Sequence, residues 1–232
     1  MAARVGSTER FGGAAGGFAG GGARLTAFAF DVGETLVDET GMWERAADAC
    51  GVPRFTLMGV LGGLAARGEQ HGRVWEILGV ERPHSTWTED DFYPDALPCL
   101  EALRAAGRVV MAVGNTPAFV EDGLRGLVDH VGSSERWGVE KPSREFFARV
   151  VSELDRPAGE IAYVGDRVDN DVEPALAAGL TAIHIRRGPW GHLQETPAGV
   201  RRIDSLLELC ARRRDGARPG AEPPARPVVE RE

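Results

Sequence analysis

Three aspartates of this 232-residue chain stand where they could act together. Asp31 closes a short apolar run, Leu25-Thr26-Ala27-Phe28-Ala29-Phe30. Asp166 follows another, Ile161-Ala162-Tyr163-Val164, by way of Gly165, and Asp171 lies five residues further on. If the two runs are strands of one open α/β sheet, the acids at their carboxyl ends converge where such sheets bind ligands. Asp171 can join them from near the start of the next helix. Carboxylates held on rigid elements are what a hard cation such as Mg²⁺ needs: oxygen ligands, with room left for water and phosphate. The five histidines are scattered, without HxH or HExxH spacing, so zinc is not indicated.

The elements that must carry these acids can be read from the pattern. Beside the two runs above, strands are expected at Arg108–Val113, His130–Ser133 and Thr181–Ile185, each apolar and bounded by Gly or polar residues. Polar residues follow them too: Gly114-Asn115-Thr116 after the second strand and Ser133-Ser134-Glu135 after the third. Helices are expected at Leu97–Ala106, stopping at Gly107, at Phe119–Val128, at Phe146–Leu154 with Ser143 as N-cap, and at Pro174–Ala178, stopping at Gly179. This alternation predicts an α/β protein with a Rossmann-like, doubly wound parallel sheet. The stretch from Asp38 to Pro94 is too long for a single crossover. Its helical segments, Trp43–Ala49, Phe55–Ala66 and Gln70–Leu78, read as an inserted helical cap, and Trp43, Trp75 and Trp87 read as its packing.

The expected organisation is therefore a Gly/Ala-rich disordered tail over residues 1–24, a core over 25–37 and 95–211, the cap over 38–94, and a disordered Pro/Arg/Glu-rich tail over 212–232. A hydrophobic share of 43% supplies a proper core, and a net charge of −8 argues against a nucleic-acid partner. No apolar run approaches the roughly 20 residues of a membrane span. Three widely spaced cysteines, with no CxxC pair, suggest neither a zinc knuckle nor a disulfide framework, and a cytoplasmic setting is expected. The oligomeric state is not legible.

Four segments, in order and at their spacing, resemble the haloacid-dehalogenase-like hydrolases, in the subfamily with a helical cap after the first strand (subfamily I, C1-type cap). They are Phe30-Asp31-Val32-Gly33-Glu34-Thr35-Leu36; Val113-Gly114-Asn115-Thr116; Gly138-Val139-Glu140-Lys141-Pro142; and Val164-Gly165-Asp166-Arg167-Val168-Asp169-Asn170-Asp171. The resemblance spans about residues 25–209. It implies Asp31 as the nucleophile of a phosphatase that passes through an aspartyl-phosphate. Asp31, the carbonyl of Gly33, Asp166 and Asp171 would hold Mg²⁺, and Lys141 would neutralise charge. Gly114, Asn115 and Thr116 would bind the phosphate of a small phosphorylated metabolite.

The chain departs from the family pattern twice. Phosphatases of the family carry a second Asp two residues after the nucleophile, to protonate the leaving group and activate water; here Gly33 stands there. Glu34 comes one residue too late, its side chain expected on a different face. Where the second motif usually offers Ser or Thr, this chain has Gly114, so either Thr116 supplies the hydroxyl or backbone N–H groups suffice. Two other readings follow from these gaps: a 2-haloacid dehalogenase-like carbon–halogen hydrolase, whose family members also lack the second acid, and a non-catalytic module that binds phosphate compounds or a partner. Retention of Gly165-Asp166 favours the metal site.

Overall fold

A computed structural model describes residues 24–210. The tails expected at 1–24 and 212–232 thus lie outside the described residues, Arg24 excepted. Six parallel strands form one sheet in the order β3-β2-β1-β4-β5-β6: β1 Ala27–Phe30, β2 Val109–Gly114, β3 His130–Ser133, β4 Ile161–Gly165, β5 Thr181–Ile185 and β6 Arg201–Ile203. The doubly wound α/β architecture is as the alternation predicts. The strand β6 adds an edge that the pattern did not announce, because three residues, two of them arginines, carry no readable apolar period.

The alternation of side chains along β1 explains how the sheet is covered. Ala27 and Ala29 face one side, with Met111, Val113, Ile161 and Tyr163, and pack against α7 (Arg144–Leu154) and α8 (Glu173–Ala177). Phe28 and Phe30 face the other, with Val110, Ala112, Ala162 and Val164, against α4 (Ala96–Ala105) and α5 (Val120–Leu124). Burying each of these two phenylalanines contributes roughly 1.5–3 kcal/mol. Helix α7 begins as expected, with the Ser143 hydroxyl accepting from the Phe146 N–H at 3.3 Å. The expected helix 119–128 is cut short at Leu124, where Arg125 turns extended and bridges to Val128. The short α6 (Ser134–Trp137) and α9 (Gly188–Leu193) were not foreseen.

Between β1 and β2 the insert holds α1 (Thr40–Cys50), α2 (Arg54–Ala66) and α3 (Val74–Leu78), the last preceded by a 3₁₀ turn over His71–Arg73. These helices gather an apolar cluster of their own from Ala46, Ala47, Leu57, Leu61, Leu64, Val74 and Trp75. Entry and exit run side by side. Val37 bridges antiparallel to Phe92, the Asp38 N–H donates to the Asp91 carbonyl at 2.8 Å, and the Tyr93 N–H donates to the Leu36 carbonyl at 3.0 Å. No helix among the described residues is long and apolar enough to cross a membrane.

Candidate active site

Strand β1 pairs with β2 on one side and β4 on the other, so the chain passes in opposite directions from the sheet's centre. The crevice beyond the carboxyl ends of β1 and β4 is the ligand position that this topology creates. Asp31 and Asp166 emerge there, held by the Asp31 N–H donating to the Val164 carbonyl at 2.9 Å. Asp171 lies near the start of the next helix, as expected: it sits in the π-turn Val168–Val172 that runs directly into α8, and the Arg167 N–H donates to its carboxylate at 3.1 Å. Such wide turns recur at functional sites. One oxygen from each aspartate lies within 4.8 Å of the others, and all three residues are buried.

Lys141 enters this cluster from the loop ahead of α7. Its Nζ lies 2.6 Å from Asp31 Oδ1 and 2.7 Å from Asp171 Oδ1, and the residue is 4% exposed. Burial opposes its charge, but the carboxylates of Asp171 and Asp31 outweigh that and hold the ammonium well above its ordinary range. Asp171 is pushed up to about 6, chiefly by burial, with Lys141 opposing and Asp31 adding to the rise. Burial, Asp171 and Asp31 push Asp166 well above the usual carboxylate range. No described residue donates to the Asp166 carboxylate; only its backbone carbonyl is engaged, by His184 Nε2 at 2.9 Å. Fully ionised, three buried carboxylates set against one ammonium would carry an excess of two negative charges, and Asp166 is the one that Lys141 does not contact. That donor set, all hard oxygens and in deficit of positive charge, fits a divalent cation.

The second-strand loop divides its tasks. Asn115 spends both polar atoms on the backbone of Lys141: Nδ2 donates to its carbonyl at 2.9 Å, and Oδ1 accepts its N–H at 2.7 Å. Its side chain therefore positions Lys141, and its second Nδ2–H and its main chain are left on the side of the pocket, which Asn115 also lines. Thr116 lines the pocket over the aspartates. At Gly114, a Cβ would lie 2.9 Å from Asp31 Oδ1, so glycine is what lets the aspartate sit against the end of β2. Ser133 and Glu135 take structural duties away from the cluster. The Ser133 hydroxyl donates to buried Glu121 at 2.6 Å, and Glu135 accepts the Ala118 N–H at 2.6 Å.

The region after Asp31 brings in one acid that the motifs do not announce, Glu39. Gly33 bridges to Val37, closing a tight turn in which Glu34 takes a left-handed φ of 51°. The Glu34 carboxylate accepts from the Tyr93 hydroxyl at 2.6 Å and from the Glu39 N–H at 3.1 Å. Its main effect is thus to pin the start of α1, and burial raises its pKa. Glu39, the residue before α1, reaches back over the turn. Trp43 Nε1 donates to its Oε2 at 3.2 Å. Its other oxygen, Oε1, lies 2.4 Å from where a Cβ on Gly33 would be. Burial, then Glu34, lifts Glu39 to about 8. The only signal in the sequence was an acid immediately before a helix, which ordinarily marks no more than a helix start.

Above the aspartates the pocket is walled by both the core and the insert. Arg167 stacks over Trp190, 5.0 Å from the ring centroid, and pairs with Asp169 at 2.7 Å. A neighbouring cavity, lined by Trp43, Trp75, Trp87, Met42 and Phe119, opens beside it. Glu39, Trp43 and Thr116 border both spaces.

A family model described as haloacid dehalogenase-like hydrolase matches residues 25–179. A glyceraldehyde 3-phosphate phosphatase of Methanocaldococcus jannaschii is 30% identical over 123 residues, covering 50% of this chain and 54% of that protein. The chain spans about half the length of the curated relatives it matches. Among solved structures, an HAD phosphatase from Thermococcus onnurineus superposes with a TM-score of 0.55 at 21% identity, over 80% of this chain and 96% of that one. The L-2-haloacid dehalogenase RSc1362 gives 0.61 at 17% identity, over 81% and 98%. At those identities the likeness is one of fold. With the family model matched across the strands and loops that build the acidic crevice, the chain belongs to the haloacid dehalogenase-like hydrolases.

Proposed function

We propose that the chain is a Mg²⁺-dependent phosphatase of a small phosphorylated metabolite, working in the cytoplasm through an aspartyl-phosphate on Asp31. The observation that carries this is the Lys141 ammonium held between Asp31 and Asp171 while Asp166 beside them has no partner. Asp31, Asp166 and Asp171, with the Gly33 carbonyl, would hold the cation, which when bound supplies charge neutralisation to the phosphoryl oxygens.

The chain's own residues do the rest. Asp31 is the nucleophile, and Lys141 offsets the repulsion between it and an incoming phosphate. Asn115 fixes where that ammonium sits. The Thr116 hydroxyl and the N–H groups of residues 114–116 face the transferred group. Residues 38–94 act as a cap whose aromatic cavity receives the remainder of the substrate. Curated relatives named as phosphatases support this reading, although each matches only part of its length. A carbon–halogen hydrolase would have no use for a cluster of three carboxylates in cation deficit, and a pure binding module would have no use for a lysine clamped onto the nucleophile.

The test is turnover of 4-nitrophenyl phosphate by the full chain with Mg²⁺ and with a chelator. Turnover is expected only with the cation, and only when Asp31 is intact. A wild-type protein silent under both conditions, or cation-independent release of halide from a 2-haloacid, sinks the proposal.

A further inference from the structure

The empty side-chain position at Gly33 is not empty space. We propose that Glu39 is the catalytic acid and base of this site, its carboxylate occupying the place that a side chain on residue 33 would take. The inference rests on the phosphatase reading above and adds to it the residue that handles the proton.

The first observation is steric. A Cβ built on Gly33 would meet Glu39 Oε1 at 2.4 Å and its Cδ at 2.9 Å, so the carboxylate sits where the first atoms of the missing side chain would begin. Gly33 is not among the glycines with positive φ, so its backbone does not itself forbid a side chain there. A side chain there would have to displace the Glu39 carboxylate, the end of a flexible side chain that Trp43 anchors. The second observation is one of hydrogen bonding. Trp43 Nε1 occupies Oε2, whereas Oε1 accepts from no described residue. A carboxylate anchored by one oxygen with the other free is oriented and available. Its main chain is also fixed, because the Glu39 N–H donates to Glu34, which is in turn held by the Tyr93 hydroxyl.

The third observation is position. Glu39 borders both the pocket over Asp31 and Lys141 and the aromatic cavity of the insert. A phosphate ester bound with its phosphorus at Asp31 and its organic part in that cavity must pass its bridging oxygen through the junction of the two, where Glu39 stands. Glu34, the nearer acid in sequence, has its two oxygens taken by Tyr93 and by the Glu39 N–H.

The chemistry closes in two steps. A carboxylate oxygen of Asp31 attacks phosphorus, and the bond from phosphorus to the ester oxygen breaks with its electron pair on that oxygen. The leaving oxygen takes the proton from Glu39 and departs as an alcohol. The Glu39 carboxylate then removes a proton from water as the water oxygen attacks phosphorus. The Asp31–phosphorus bond breaks, its electron pair returns to Asp31, and inorganic phosphate leaves with Glu39 protonated again.

The decisive comparison is Glu39→Gln in the Mg²⁺-loaded full chain, measured in single turnover on glycerol phosphate and on 4-nitrophenyl phosphate. An alkoxide needs the proton and a nitrophenolate does not. The ratio of alkyl to aryl cleavage should therefore fall by about 10²–10⁴-fold. Because water is no longer activated, phosphoenzyme on Asp31 should accumulate and be visible as an adduct in the intact mass. A swap guards against mere misfolding. Gly33→Asp alone should be impaired by the overlap with Glu39, whereas Gly33→Asp with Glu39→Ala should recover alkyl cleavage relative to Glu39→Ala.

An unchanged alkyl-to-aryl ratio in a Glu39→Gln protein that melts like wild type overturns the proposal and leaves the phosphatase reading intact. So does failure of the swap to recover alkyl cleavage, should Glu39→Gln fold poorly. Wild type silent on both esters removes the phosphatase reading, and Glu39's role with it.

Discussion

Replacing Lys141 by Met asks what the buried ammonium does for the fold. The side chain keeps its length and loses its charge. Nζ contacts Asp31 at 2.6 Å and Asp171 at 2.7 Å inside a cluster that Asp166 completes, so three buried carboxylates would face one another with no cation among them. Removing one partner of a buried ion pair costs about 3–5 kcal/mol. The cluster has one escape, which is to take up a proton. Keeping a carboxyl of ordinary pKa ~3.9 protonated at pH 7 costs about 4 kcal/mol, which agrees with that range; at pH 5 it costs only about 1.5 kcal/mol. The sign follows from the direction of the shift. In the wild type both Asp171 and Asp166 are raised above their unfolded values with Lys141 opposing the rise; without the ammonium they rise further, so the folded variant binds more protons than the folded wild type and its deficit shrinks as pH falls. At roughly 2–4 °C per kcal/mol for a domain of this size, Lys141→Met should melt about 8–16 °C below wild type at pH 7 and about 3–6 °C below it at pH 5. The assay is thermal unfolding of both proteins in chelator at the two pH values. A variant that melts with wild type at pH 7, or whose deficit grows on acidification, refutes the charge argument.

Asp31→Asn should abolish turnover while leaving the far-UV spectrum and fold intact, since an amide of the same shape is a poor nucleophile; residual turnover near the wild-type rate would remove Asp31 from its role. Mg²⁺ should raise the melting temperature of the wild type, by about 2.7 kcal/mol of added stability at a hundredfold excess over Kd, and Asp166→Asn should lose most of that gain; equal gains in both proteins would place the cation elsewhere. Asn115→Ala removes two hydrogen bonds to the Lys141 backbone, so a loss of about 1–3 kcal/mol is expected in urea unfolding together with a fall in turnover. A loss of turnover with no change in stability would show that Asn115 acts on the substrate instead.

The sheet was legible because its five longer strands are apolar runs bounded by Gly and polar residues, and the acids stand out at their ends. Asp31, Asp166, Asp171 and Lys141 come together because parallel strands end on one edge of the sheet, and the loops that carry these residues gather there. Less was legible wherever the outcome depends on one contact. The shortening of α5 at Leu124 follows from the bridge between Arg125 and Val128, which leaves no periodic trace. The resemblance gave Asn115 a place at the phosphate, but it carried no sign that the same amide also matches a peptide unit 26 residues away. Glu39 was invisible for a similar reason. Motif spacing looks two residues past the nucleophile, and only the tight turn from Gly33 to Val37 folds the chain so that an acid eight positions on lands in the same place.

The central position of β1 has a consequence for the order in which the chain can assemble during synthesis. The strand is complete at Phe30, but its two partners are residues 109–112 and 161–164. At about 5–20 residues per second, roughly 7–26 s separate the emergence of β1 from that of β4. Through that interval Phe28 and Phe30 have only part of their eventual cover, and the unpaired edge is open to the wrong neighbour. The insert that fills the first part of the wait closes its apolar cluster among its own helices. It can therefore compact beside the ribosome without the sheet, holding the chain's entry and exit at Val37 and Phe92 close together. Nascent-chain lengths that end before residue 161 should expose a protease-sensitive β1 beside an already protected insert.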